Sequence, residues 1–454
     1  MTKHLVELKP TTIHDINAMI ALYRPGPIKN IPEYIERKHG KSPIKFFHPK
    51  AEKFLQKSYG ILVYQDDLLS TALELAGYNW ESVDKFRKAV GKKIPAEMAK
   101  QHDIFVLGCQ THSEMKKEEA EEIWNLFEPF QGYGFNKAHA ACYGRVASQT
   151  AYMKAHFPAE YMCAVLTAES GDIEKIAMVI AECRKMGIEV LPPDINSSYK
   201  DFTVIEDKVN EKDKIRFGLL TIKNFGENIA DAVIKERNSG GQFRSIENFF
   251  TRIQSKDLNK KSVEALAKVG ALDGLEERNK ILLNMERILE YTRSHKETTL
   301  RNQSSLFSLV SDSSSLPQLR LEQTKSASLE EKLKWEKELL GIYVSGHPME
   351  KIAQSTNYQN TKNKLNIETF KSQKPAKLVN VAGMITESRR ILTKNGDPMM
   401  FIKLQDLRDE IEGVVFPKVL EQFGHHIVPD NCVIIFGRYN ERNGTPSIIA
   451  EEIK

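Results

Sequence analysis

The period of the apolar positions changes several times along the chain. From about residue 10 to 187 they recur at helical spacing, broken by short Pro/Gly interruptions. The stretch 188–204, IEVLPPDINSSYKDFTV, turns strand-like, and residues 213–290 return to helices separated by glycine turns. From 300 to 328, LRNQSSLFSLVSDSSSLPQLRLEQTKSAS is serine-rich with little apolar period, the texture of a flexible linker. One helix, SLEEKLKWEKELLG, follows it. Residues 376–454 hold five short β-rich runs: AKLVNVAGMI, MMFIKLQD, EIEGVVF, CVIIFGRY and PSIIAEEI. Asn-Gly turns (KNGD, RNGT) sit between runs, and one helical segment, PKVLEQFGHHIV, lies between the third and fourth. Five strands with one helix predict a small Greek-key barrel of the oligonucleotide-binding (OB) type. The predicted fold class is therefore multidomain and mainly α, ending in a small all-β OB-type barrel.

Composition changes this picture little. The chain has 454 residues, for which about three domains are expected. It is 41% hydrophobic and 28% charged, as a globular chain is. No apolar run approaches the ~20 residues a membrane helix needs, and MTKHLVELKP lacks a signal-peptide core. The five cysteines contain no CxxC pair, which argues against disulfides and zinc and fits a reduced, cytoplasmic setting. Net charge is only +4, but Lys85–Lys100 carries six basic residues against one acidic.

Residues 60–69, GILVYQDDLL, look like the tyrosine–spacer–Asp–Asp signature with which reverse transcriptases hold catalytic metal. That signature sits on a β-hairpin, so a second strand should follow. Here LLSTALELAGYNW follows, with Leu68, Leu69, Ala72, Leu73, Leu75 and Ala76 at helical spacing. Asp66 and Asp67 are thus expected in the first turn of a helix, where the backbone dipole favours carboxylates. The competing reading makes them metal ligands of a self-sufficient polymerase.

Residues 131–143, QGYGFNKAHAACY, are more specific. With LYRPGP (22–27), GILVYQ (60–65), RKAVGKK (87–93), LPPDIN (191–196) and GIYVSGHP (341–348), the chain closely resembles the alpha subunit of bacterial DNA polymerase III, the C-family replicative polymerases. The resemblance runs in order over nearly the whole chain. It implies fingers over 1–205, a tandem helix-hairpin-helix region over 206–295 and a linker with a clamp-binding peptide over 296–330. A helical connector over 331–375 and an OB barrel over 376–454 complete it. MTKHLVELKPTT resembles the interior of that family just after its palm, so the family's catalytic aspartates and Mg²⁺ ligands are expected upstream. No catalytic residue and no metal ligand are then expected in this segment. The family commonly has a YQEQ-like stretch where this chain has YQDD, which makes the acidity a trait of the fingers.

The implied function is template-directed DNA synthesis, with this segment binding dNTP, gripping primer–template and tethering to the sliding clamp among the other holoenzyme subunits. Fingers must neutralise a triphosphate. The candidates are Arg24, fixed by the following Pro-Gly-Pro turn, together with Arg87, Lys88, Lys92, Lys93, Asn136, Lys137, His139 and Tyr143. RKAVGKK is expected to gather cations on a loop around Gly91. The alternatives are a solvated helix face for the charge run, a salt bridge for Arg24 and a hydrogen-bonded buried histidine for His139. Two hairpins, LLTIKNFGENIA and VEALAKVGAL, offer Lys223 and Gly226, and Lys268 and Gly270, to DNA phosphates. In the barrel, Arg389, Lys394, Lys403 and Arg438, with Phe401 and Tyr439, are candidates for single-stranded DNA.

Gln303-Ser-Ser-Leu306-Phe307 resembles a clamp-binding peptide: two apolar anchors fill a pocket and the glutamine sets register. The alternative is a hydrophobic contact that pins the linker. A function of another class also stands, that of a stand-alone, non-catalytic module that binds DNA or the clamp.

Overall fold

The computed structural model describes residues 1–92, 95–127, 134–207, 212–253, 255, 257–300, 319–350, 363–393, 395–406, 409–442 and 444–454. The expected sites Lys93, Lys394, Gln303, Leu306 and Phe307 lie outside the described residues, as does the side chain of Lys92. The chain divides into two compact units, residues 1–161 and 162–454.

The first unit is helical and has two apolar cores. One gathers Leu8, Met19, Leu22, Ile31, Tyr34, Ile61, Val63 and Ala140. The other gathers Leu55, Leu62, Leu75, Phe86, Phe105, Ile123 and Phe127. Residues 61–63 run between them: Ile61 and Val63 enter the first core and Leu62 the second. An extended segment points successive side chains to opposite sides, so a stretch buried on both sides reads as an unbroken apolar run.

The helix Gln65–Ala76 starts directly after this segment and ends at Gly77, whose φ of 68° is left-handed. Asp66 and Asp67 therefore occupy the first turn of a helix, as the spacing predicts. Trp80–Lys92 is also one helix. Gly91 lies inside it, and the loop expected there is absent. Val83, Phe86, Ala89 and Val90 bury one face of that helix and hold it regular up to the glycine.

The second unit begins its β structure with a three-stranded sheet: β1 (Val190–Leu191), β2 (Thr203–Ile205) and β3 (Lys214–Arg216). β3 is central, parallel to β1 and antiparallel to β2. Helices Glu227–Gly240, Ile246–Arg252, Lys260–Lys268, Arg278–Leu283 and Met285–Leu300 follow.

The helix Leu329–Leu340 realises SLEEKLKWEKELLG. Ser328 Oγ accepts from the Glu331 amide (3.2 Å) and Glu331 Oε2 from the Ser328 amide (2.8 Å). Gly341 closes the helix at φ 76°.

The barrel comprises β4 (Lys364–Leu365), β5 (Val379–Leu392), β6 (Pro398–Gln405), β7 (Glu410–Val415), β8 (Cys432–Arg442) and β9 (Thr445–Ile453). The order is β4-β5-β6-β7-β9-β8, and a β5–β8 pairing closes it. β5 does this by switching partners along its length. Val379–Met384 pairs with β8 and Met384–Leu392 with β6, with a register shift between Ile385 and Glu387. All five predicted strands are present, and so is the predicted helix, as Pro417–Phe423. Ile385, Ile402, Leu404, Ile435, Ile448 and Ile453 fill the interior.

Candidate nucleic-acid interface

In the first unit the GFNKAHA block starts a 20-residue helix, Lys137–His156, that buries only Ala140 and Gly144. Asn136 caps it, its Oδ1 accepting the His139 amide at 2.9 Å. At Gly144 the helix Ile13–Leu22 crosses so closely that any Cβ would collide with Asn17. Apart from the half-buried Ser148, Thr150 and Lys154 the rest of the helix is exposed, with Lys137, His139 and Tyr143 on its first turns. His139 stacks between Phe135 (5.5 Å) and Tyr143 (4.4 Å) and is exposed, so it is not the buried histidine of the alternative reading. Arg24 sends Nε to Ala21 O (2.9 Å), and its guanidinium lies 5.2 Å over the Phe135 ring. Arg24 thus reaches the segment that precedes Lys137.

Asp67 is almost fully buried. Its Oδ2 accepts the amides of Val63 (2.9 Å) and Tyr64 (2.8 Å). Burial raises its pKa to about 6 against the opposing pull of those amides and of Lys137. The Lys137 ammonium stands 3.9 Å from Asp67 Oδ1, and the Lys137 amide donates to Asp66 Oδ2 at 3.1 Å. This donor set does not fit a pair of divalent ions, because one carboxylate is consumed by amides and faces a cation.

Arg87 and Lys88 both pair with Asp84 one turn away, at 2.7 Å each. Their side chains are about half exposed, so these bonds are weak and open to competition by an anionic ligand. Arg87, Gly91, Gln65 and Gly134 line one small crevice with Leu68, Leu69, Phe86 and Val90, which brings RKAVGKK, YQDD and the start of GFNKAHA together.

In the second unit the two expected hairpins differ. At the first, Asn224 adopts φ 68° and Phe225 is buried, while Lys223, Asn224 and Gly226 are exposed. Gly226 then starts the helix Glu227–Gly240, with open space beside it. Lys223 makes no ion pair among the described residues, and its amide donates to Leu339 O (3.0 Å).

At the second, Gly270 (φ 80°) terminates the helix Lys260–Lys268 instead of opening a new one. The next helix begins only at Arg278. The Arg278 guanidinium fills the turn, bonding Asp273, Lys268 O (2.9 Å), Glu336 (3.2 Å) and Ser345 (3.1 Å). Lys268 is partly covered and paired with Glu264 at 2.7 Å. The space where a phosphate would sit at Gly270 is thus occupied by a side chain of the protein.

On the barrel, Arg389, Phe401, Val414, Ile449 and Arg438 are in direct register across β5, β6, β7, β9 and β8. They form an outward stripe with a cation at each end. Arg389 lies 5.8 Å from the Phe401 ring, so Phe401 is outside the core rather than part of it. Arg438 is 3.5 Å from Glu451, and Lys403 pairs with Glu387 at 2.6 Å. Tyr439 packs on Phe370 and bonds Glu441.

A helical unit, a helix-hairpin-helix region and an OB barrel define a multidomain chain of the nucleic-acid-binding class. Family models agree: the bacterial DNA polymerase III alpha subunit finger domain matches residues 1–113, a helix-hairpin-helix motif 187–282 and an OB-fold nucleic acid binding domain 379–454. DNA polymerase III subunit alpha of Thermus aquaticus is 38% identical over 93% of this chain and 34% of its own length. That of Borreliella burgdorferi is 36% identical over 100% and 39%, and that of Saccharopolyspora erythraea 35% over 100% and 38%. The chain belongs to the DNA polymerase III alpha subunit family, and it spans a third to two fifths of the length of these relatives.

Proposed function

We propose that this chain is the portion of a DNA polymerase III alpha subunit that binds the incoming dNTP and grips primer–template during DNA synthesis. The observation carrying the nucleotide role is the exposed start of the helix Lys137–His156. It offers a cation and an imidazole on its first turn and a phenol on the next, near the crevice that Arg87 lines. Lys137, Arg87 and Lys88 neutralise phosphate, and Arg87 and Lys88 can trade their half-exposed contact with Asp84 for a stronger one. Tyr143 offers a ring to the nascent base pair, and Arg24 braces Phe135, the ring on the other side of His139. Catalytic Mg²⁺ and its ligands belong to residues outside this chain.

The DNA grip rests on the first hairpin, where exposed backbone and Lys223 face a phosphate without reading sequence. The outward barrel stripe takes single-stranded template, the Phe401 ring and the aliphatic groups of Val414 and Ile449 beneath bases and its arginines on phosphates. The Gln303–Phe307 peptide tethers the subunit to the sliding clamp.

Primer extension by this chain alone, with four dNTPs and Mg²⁺, tests the assignment beside an Asp66→Ala/Asp67→Ala variant. The expected result is no extension, with primer–template still bound at low salt. Extension abolished by the variant would make the YQDD pair catalytic and overturn this reading.

A further inference from the structure

YQDD and GFNKAHA are 71 residues apart at Asp66 and Lys137, yet they form one clasp. The Gln65 amide donates to Phe135 O at 2.9 Å, and the Lys137 amide donates to Asp66 Oδ2 at 3.1 Å. The Lys137 ammonium lies 3.9 Å from Asp67 Oδ1 and 5.4 Å from the centre of the Tyr64 ring. Gly134 is tight against Gln65, so the two segments approach backbone to backbone.

Asp67 is suited to hold a cation because it is itself held. Two amides fix Oδ2 from within the apolar core, and Oδ1 is left to face Lys137. The lysine side chain remains 50% exposed, so its ammonium meets carboxylate and solvent at once.

We propose that Asp66 and Asp67 are positioning residues that fix the Lys137 ammonium at the start of the finger helix for the phosphates of the incoming nucleotide. This deepens the nucleotide-binding reading above and rests on it. A lysine carries a point charge on a flexible four-carbon stem, and ordering that stem offsets part of its affinity for phosphate. Tyr64 and Asp67 restrict the stem before ligand arrives. Asp66 fixes the backbone from which it springs.

Three substitutions separate these roles. Asp67→Asn keeps an oxygen for the two amides and removes the charge facing Lys137. Asp66→Asn keeps an acceptor for the Lys137 amide, whereas Asp66→Ala removes it. The test is equilibrium binding of Mg·dATP to the full chain on primer–template, with hydrogen exchange of the segment 135–139 and thermal unfolding measured in parallel.

Lys137→Ala is expected to weaken dATP binding about tenfold, the loss of one charge-assisted contact. Asp67→Asn should weaken it about threefold, the worth of one half-exposed ion pair. It should cost nothing further in the Lys137→Ala background, because both changes act on the same ammonium. Asp66→Ala should speed exchange at 135–139, and Asp66→Asn should restore the native rate. An equal loss from Asp67→Asn in both backgrounds, or no loss in either, would overturn the positioning role while leaving Lys137 as a phosphate contact. If Lys137→Ala binds dATP as the native chain does, the nucleotide reading itself fails, and the exchange rates then report only whether the clasp forms.

Discussion

The turns at Gly226 and Gly270 read alike in the sequence, each a glycine after a short helical stretch with lysines nearby. In the folded chain they are opposites. Gly226 has an ordinary φ of −90°, open space at its Cα and an exposed lysine three residues before it. Gly270 has φ 80° and a guanidinium packed into its turn. What separates them is a residue just beyond the second motif: Arg278 brings its own positive charge to the second turn and satisfies the carbonyl and carboxylates around it. A glycine turn binds an external anion only if the protein leaves the turn empty, whereas here Arg278 fills it with a charge already paired to Asp273 and Glu336. The second turn couples the helical region through Glu336 to the helix Leu329–Leu340 and, through Ser345, to the GIYVSGHP segment.

The largest expected effect tests that structural role. Arg278 and Glu336 are both buried, so Arg278→Ala leaves Glu336 without its cation and is expected to cost about 3–5 kcal/mol in urea unfolding. Adding Glu336→Gln should recover part of the loss. A loss below about 1 kcal/mol for Arg278→Ala would remove the distinction between the turns.

The glycines come next. Gly270→Ala forces a β-carbon into the left-handed region against Arg278 and should cost about 1–3 kcal/mol. Gly226→Ala should stay within about 0.5 kcal/mol, since its backbone is ordinary and its surroundings are open. Chemical denaturation of the two variants side by side checks both. The smallest expected effect on stability is that of Lys223→Ala, within about 0.5 kcal/mol. Its consequence should appear in DNA affinity alone, read by fluorescence anisotropy on a labelled duplex.

The sequence exposed what depends on local period. The barrel strands were legible because their faces alternate and Asn-Gly marks their turns. The YQDD helix was legible because leucines and alanines after Asp67 recur at helical spacing. RKAVGKK was misread at Gly91, where glycine suggested a loop. Burial of Phe86 and Val90 outweighs the glycine's cost of about 1 kcal/mol in a helix. The long-range contacts at these sites lie beyond any local pattern. Asp66 meets Lys137 across 71 residues, and Arg278 meets Glu336 across 58. The barrel stripe was half legible: Arg389, Phe401 and Arg438 stand at outward positions, but only the register shows that Val414 and Ile449 join them in one line.

The proposal most open to direct test is that this chain holds DNA by phosphate at its first helical hairpin and not at its second. The direct measurement is duplex DNA affinity as a function of salt for the native chain, Lys223→Ala and Lys268→Ala. Lys223→Ala should reduce the slope of log K against log salt by about 1, with the loss uniform across sequences. Lys268→Ala should leave the slope unchanged. Equal slopes for the native chain and Lys223→Ala, with a reduced slope for Lys268→Ala, would contradict the account.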